Sequence, residues 1–184
     1  MRLLRASLHR RMPWKNGGGE TQEIACVPEG AGLDAFVWRA SMARVERSGP
    51  FSRFAGIDRT LAVLEGEGLE LEVEGMGAIV LRPGSQPFRF PADKQTDCRL
   101  LGGPVTDLNI MTRRGAADHA MRRVVLGAGE SLDVRGARLV VVGSGSVRLG
   151  GELLGAGDVV EPEGEAVTLR SDGGAVVFPI EVAE

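Results

Sequence analysis

The chain has 184 residues and a formal net charge of −3, with 22 basic against 25 acidic side chains. That length allows one large domain or two small ones, with a buried core in either case. The charge balance leaves no basic surplus to attract nucleic-acid phosphates or an anionic membrane, so neither is expected as a partner.

The chain opens Met1-Arg2-Leu3-Leu4-Arg5-Ala6-Ser7-Leu8-His9-Arg10, where charges interrupt the apolar residues too often for a secretion signal. No uncharged apolar run approaches the ~18–20 residues that cross a bilayer. Cys26 and Cys98 stand far apart, unlike the close pairs of a zinc knuckle or a disulfide framework, so two free thiols in a reducing cytoplasm are expected. Twenty-seven glycines and nine prolines divide the sequence into short apolar stretches, which suits many strands joined by tight turns. The expected fold class is all-β.

In chain order, the first unusual segment is Pro13-Trp14-Lys15-Asn16-Gly17-Gly18-Gly19, which holds one of only two lysines, the other being Lys94. Three glycines let a backbone turn sharply and approach a bound group closely, with Lys15 offering a point charge and Asn16 an amide. The alternative is a plain loop joining two strands. Alternation from Phe36 to Val45 puts Phe36, Trp38, Ala40 and Met42 on one face and Val37, Arg39, Ser41 and Ala43 on the other. Both faces look covered, so Arg39 needs an anion: a ligand carboxylate gripped by the guanidinium fork, or Asp58 or Asp107 in a structural salt bridge.

Asp58-Arg59 follows a turn through Gly56 and is expected as an ion pair that fixes the loop, with Arg59 also a candidate ligand contact. Trp14, Phe36, Trp38, Phe51, Phe54, Phe88 and Phe90 all precede residue 91, leaving only Phe178 beyond it. Aromatics line ligand pockets as readily as they fill cores, so a pocket is expected in the first half, with Phe88 counted among its residues. Further along, Asp107, Asn109 and Met111 share one strand face, an acid beside an amide suited to an N–H or a hydroxyl. The segment from Thr112 to Arg123 is expected as a connector or a short helix.

Leu61-Ala62-Val63-Leu64-Glu65-Gly66-Glu67-Gly68-Leu69-Glu70-Leu71 resembles Leu139-Val140-Val141-Val142-Gly143-Ser144-Gly145-Ser146-Val147-Arg148-Leu149, each a strand, a glycine turn and a second strand. Downstream, Ile79-Val80-Leu81-Arg82-Pro83-Gly84 is echoed by Asp158-Val159-Val160-Glu161-Pro162-Glu163-Gly164. The repeat is degenerate and implies two copies of one barrel, divided as residues 1–114 and 115–184.

This turn spacing resembles the cupin superfamily, which implies two RmlC-like β-barrels in one chain, a bicupin. Cupin barrels usually hold a metal on histidines and a glutamate, yet Val167 stands about where the family pattern would place a ligand histidine. His9 and His119 are the only histidines and lie outside the barrel motifs, so they are expected as solvated side chains, and neither a metal nor a cofactor is expected. A closer resemblance is carried by Met12-Pro13-Trp14-Lys15-Asn16-Gly17-Gly18-Gly19-Glu20-Thr21-Gln22-Glu23-Ile24, Phe36-Val37-Trp38-Arg39-Ala40-Ser41, Gly49-Pro50-Phe51-Ser52-Arg53-Phe54-Ala55-Gly56-Ile57-Asp58-Arg59 and Gly102-Gly103-Pro104-Val105-Thr106-Asp107-Leu108-Asn109-Ile110-Met111. These strings resemble the HutD/Ves family. The resemblance implies a cytoplasmic bacterial protein associated with histidine utilisation, binding an intermediate of the urocanate or formylglutamate kind and moderating flux or expression.

No nucleophile, base and orienting acid assemble from the motifs, and neither a Walker loop nor a dinucleotide fingerprint is present. The expectation is a metal-free binding protein whose partner is a small anionic metabolite, held by Lys15, Asn16, Arg39, Ser41, Arg59, Phe88, Asp107 and Asn109. A homodimer is left open. The rival readings are a metal-independent isomerase or epimerase with Asp107 or Lys15 as acid or base, and a regulatory partner for another protein that uses the polar second barrel.

Overall fold

Glycine and proline punctuation leaves segments that satisfy their backbone groups by pairing with one another, and the computed structural model, which describes residues 1–184, contains eighteen strands and one short 3-10 turn. The first nine strands are β1 (Arg2–Leu4), β2 (Arg10–Pro13), β3 (Gly19–Val27), β4 (Trp38–Val45), β5 (Gly49–Pro50), β6 (Ile57–Glu65), β7 (Leu69–Val73), β8 (Gly77–Leu81) and β9 (Phe88–Pro91). They are followed by β10 (Thr96–Leu100), β11 (Val105–Arg113), β12 (Asp118–Met121), β13 (Val124–Leu126), β14 (Ser131–Val134), β15 (Leu139–Leu149), β16 (Glu152–Gly155), β17 (Val159–Glu161) and β18 (Val167–Ala183). The segment after Thr112 holds the end of β11, a turn and β12 in place of a helix.

Two compact units form, one of Arg10–Asp118 with Glu184, the other of Met1–His9 with His119–Ala183. Where the sequence suggested a division at 114/115, the units part at 118/119. The first nine residues join the C-terminal unit because β1 pairs along β17, with Arg2 opposite Glu161, and the two side chains form an ion pair at 2.7 Å.

In the unit of residues 10–118, one sheet runs β2-β3-β4-β11-β6-β9 and the other β5-β10-β7-β8. Neither order returns to its starting strand, so the expected closed barrel is replaced by two open sheets. They share a core in which Val45, Leu61, Val63 and Val105 meet Leu69, Leu71, Val73, Leu81 and Cys98. β7 shows how the sequence builds such a sheet: Leu69, Leu71 and Val73 are buried while Glu70 and Glu72 between them are not. β4 and β11 lie at the middle of the larger sheet and are covered on both faces.

The C-terminal unit is a single eight-stranded sheet, also open, organised by the long pairing of β15 with β18. Its core is almost wholly aliphatic: Val140, Val142, Val147, Val160, Leu154, Leu169 and Val177 among others. The stretch expected to repeat the strand–turn–strand of residues 61–71 is one continuous strand, with register shifts at Val142/Ser144 and Gly145/Val147. The two histidines are buried, not solvated, and His9 donates its Nε2 hydrogen bond to the Gly157 carbonyl at 2.9 Å.

Gly145 occupies the left-handed region at φ +69°, and a Cβ there would lie 2.2 Å from the Gly174 carbonyl oxygen. Its role is a bulge that bends β15 against β18. Gly145→Ala combines a disfavoured backbone conformation with a backbone clash and should destabilise the protein by at least ~1–3 kcal/mol, read as a lower urea midpoint.

Candidate functional site

The antiparallel register of β4, β11 and β6 arranges side chains in rungs. Arg39, Met111 and Arg59 form one rung, Ser41, Asn109 and Leu61 the next, and Ala43, Asp107 and Val63 the third. Two-residue alternation sends all nine to the same face. β3 extends the first two rungs, placing Cys26 beside Arg39 and Glu23 beside Ser41, with a bulge between Glu23 and Ala25 that takes up the extra residue. On the far side β9 sets Phe90 beside Arg59.

A cavity of about 480 Å³ opens over this face. Arg39, Ser41, Arg59, Asn109 and Met111 form its strand-borne wall, the tip of the β2–β3 hairpin (Met12 to Asn16) a second, and the segment containing Pro50, Phe51, Ser52 and Phe54 a third. Its size and its mixture of aromatic and aliphatic walls with a few polar groups are those of a small-molecule site.

Its distinctive feature is a pair of arginines, 5% and 8% exposed at Arg39 and Arg59. Arg39 donates from Nε to Glu23 Oε2 at 2.8 Å, and Arg59 donates from Nε to Asn109 Oδ1 at 2.8 Å. The terminal nitrogens of both guanidiniums meet no acceptor in the protein, so each fork keeps four of its five N–H donors for what enters the cavity. Arg59 also lies over the rings of Phe51 and Phe90, 4.6 and 5.7 Å from their centroids. Burial pulls the Arg59 guanidinium below its ordinary value and Asp107 opposes that pull. An arginine remains cationic at neutral pH even so.

Behind Arg59 runs a short chain of hydrogen bonds. Arg59 can only donate, so it meets the carbonyl side of the Asn109 amide; Asn109 Nδ2 is thereby turned to Asp107 and donates to Oδ1 at 2.6 Å. Asp107 is fully buried and its Oδ2 has no partner. Burial pushes the carboxyl up to about 6, while Arg59, Asn109 and the Ala43 backbone pull it down.

Of the eight residues singled out from sequence, Lys15, Asn16, Arg39, Ser41, Arg59 and Asn109 all line the cavity. Asp107 and Phe88 do not. Asp107 is screened by Asn109, and Phe88 stacks on Phe90 at 5.8 Å and packs against the core between the sheets. Lys15 is exposed at the rim and pairs with no carboxylate. Asn16 turns its carbonyl inward to accept the Gly18 N–H at 2.9 Å, so it holds the hairpin tip. The glycine run serves the fold first: a Cβ on Gly19 would lie 2.2 Å from the Arg44 carbonyl oxygen, so glycine there lets β3 approach β4.

The structural partner of Arg39 is Glu23, in place of the Asp58 or Asp107 that sequence suggested. Asp58 instead fixes a loop by pairing with Arg89 at 2.8 Å and Arg114 at 2.7 Å, while Arg59, its neighbour in sequence, points to the opposite face. Glu23 was missed because its place depends on the register and bulge of β3, which no local pattern announces. No group of three or more His, Cys, Asp or Glu side chains is arranged to hold a metal ion.

The HutD family model matches residues 6–178. An uncharacterised 21.2 kDa protein in the hutC 3′ region of Pseudomonas putida is 48% identical over 111 residues, 60% of this chain and 57% of that protein, so the match spans little more than half of that relative. Protein Ves of Citrobacter koseri is 41% identical over 152 residues, 80% of this chain and 76% of its own. Among solved structures, HutD from Pseudomonas fluorescens SBW25, in a formate condition, superposes with a TM-score of 0.76 at 33% identity, covering 100% of this chain and 99% of that one. YhhW from Escherichia coli shares the cupin-like fold alone, with a TM-score of 0.68 at 13% identity over 97% of this chain and 96% of that one.

The two thiols flank this site and are both free and buried. Burial, with Asp107 adding to it, pushes Cys98 up to about 12, and burial likewise raises Cys26. Because the thiolate is the reactive species, the native protein should resist a thiol-specific disulfide reagent at pH 8. The denatured, unreduced protein should then release two equivalents per chain.

Proposed function

The chain belongs to the HutD family, and on that premise we propose that it is a metal-free binding protein for a small carboxylate, such as a histidine-degradation intermediate of the urocanate or formylglutamate kind, acting in a regulatory role in the cytoplasm. One observation carries the reading: two buried guanidiniums turn unspent donors into the same cavity. A cation taken out of water is costly without an anion, and a carboxylate fits the guanidinium fork in bidentate fashion. The aromatic and methionine walls suit an apolar or flat body behind the carboxylate. The bicupin reading belongs to the same proposal, supported by the division of the chain into two compact units built of strands.

The isomerase alternative asks Asp107 or Lys15 to act as acid or base. Asp107 does not reach the cavity and Lys15 sits exposed at its rim, so binding without turnover is the better-supported reading.

Thermal-shift screening of urocanate, N-formylglutamate and formate, each against its amide, tests the ligand class, since a ligand selective for the folded state raises the melting temperature. Arg59→Met should weaken carboxylate binding by ~1.5–3 kcal/mol, roughly ten- to a hundredfold. It should change apo stability by less than ~1 kcal/mol, because relief of a buried cation offsets the lost bond to Asn109. Arg39→Met should weaken binding similarly but also lower apo stability by ~1–3 kcal/mol, since it strands Glu23. An Arg59→Met protein that melts far below the parent and binds carboxylates as well as the parent does would defeat the anion-anchor role.

A further inference from the structure

Resting on the anion-binding reading, we propose that occupancy of the Arg59 fork is coupled to protonation of Asp107 through Asn109, so that the site takes up a proton together with its ligand. The geometry is a linear relay in which the cavity sees only one end. Arg59 faces the ligand space with its terminal nitrogens, Asn109 bridges, and Asp107 ends the chain at zero exposure. Asp107 Oδ2 has no partner at all, so the ionised carboxylate is held by one hydrogen bond from Asn109, the Ala43 backbone and the field of Arg59.

An anion on Arg59 cancels part of that field at Asp107. Its charge therefore favours the neutral carboxyl, and the proton affinity of Asp107 rises when the cavity fills. Without ligand the carboxyl stands at about 6, higher than an ordinary aspartate and within reach of physiological pH. Below that point Asp107 is protonated in both states and anion affinity is flat. Between the free and the liganded midpoints binding draws in a proton, so affinity falls as pH rises, by at most tenfold per pH unit for one coupled proton. Above the liganded midpoint Asp107 is ionised in both states and affinity is flat again.

Few other charged or titratable groups surround the relay. Arg59 on β6 stays cationic, and Arg39 on β4 lies on the same rung beyond Met111. Cys98, facing Asp107 from β10 of the opposite sheet, is pushed up to about 12 and stays a neutral thiol. Glu23 on β3 lies beyond Arg39, bound to its Nε. The direct neighbours of Asp107 across the ladder, Ala43 and Val63, carry no charge.

Formate is the probe, because an ordinary carboxylic acid of this kind stays ionised across pH 5.5–8. Calorimetric titration of the full chain with sodium formate, at constant ionic strength in two non-carboxylate, non-phosphate buffers of different ionisation enthalpy, reads affinity and proton uptake together. A carbon-detected titration of the Asp107 carboxyl, with and without saturating formate, reads the linked group itself. The expected result is affinity that declines severalfold above about pH 6 with fractional proton uptake, an Asp107 midpoint that moves upward with formate, and loss of the pH slope in Asp107→Asn. Formate binding that is independent of pH, with no proton exchanged and an unmoved midpoint, overturns the coupling while leaving the anion site standing. No formate binding at any pH overturns the anion reading and the coupling with it. Should Asp107→Asn fail to fold, the carboxyl titration of the native chain still decides.

Discussion

Two guanidinium groups are held out of water within hydrogen-bonding reach of one cavity, and much of the N-terminal unit is arranged around that cost. Each cation is only partly compensated: Arg39 by one carboxylate on the neighbouring strand, Arg59 by a neutral amide and two aromatic faces. Complete pairing would make an inert structural salt bridge. Partial pairing holds each fork in place through its Nε while leaving the planar end open, and an anion that reaches it recovers part of the desolvation already spent.

Strand register is what makes this arrangement rigid. Arg39 and Arg59 flank Met111 on one rung across three hydrogen-bonded strands at the middle of the sheet, where the backbone has least freedom. A shift of one residue in either pairing would turn one guanidinium to the opposite face. The bulge in β3 performs a similar task for Glu23, keeping it on the cavity face beside Ser41 while Cys26 also faces inward beside Arg39. The remaining walls come from the β2–β3 hairpin and the segment from Pro50 to Phe54, so the cations sit on the sheet and the apolar enclosure on segments at its edge.

The C-terminal unit follows other rules. Its core is made of branched aliphatic side chains, its one long strand pair carries the sheet, and its buried polar groups satisfy structural ends, as when Glu161 receives Arg2 from the first strand of the chain. The aromatic side chains and the buried arginines are concentrated in the other unit, around its cavity.

The all-β class was legible in the sequence, because two-residue alternation and glycine punctuation are local consequences of strand geometry. Alternation alone put Arg39 with Ser41, and Asp107 with Asn109 and Met111, on common faces. Strand order, the opening of the expected barrels into sheets, the pairing of Arg39 with Glu23 and the retreat of Asp107 behind Asn109 were decided only by the tertiary structure. The reason is physical: the face on which a side chain lies follows from its own strand, but the partner it meets depends on register between strands far apart in sequence, and pairing energies along a backbone ladder barely distinguish one register from another until side chains pack.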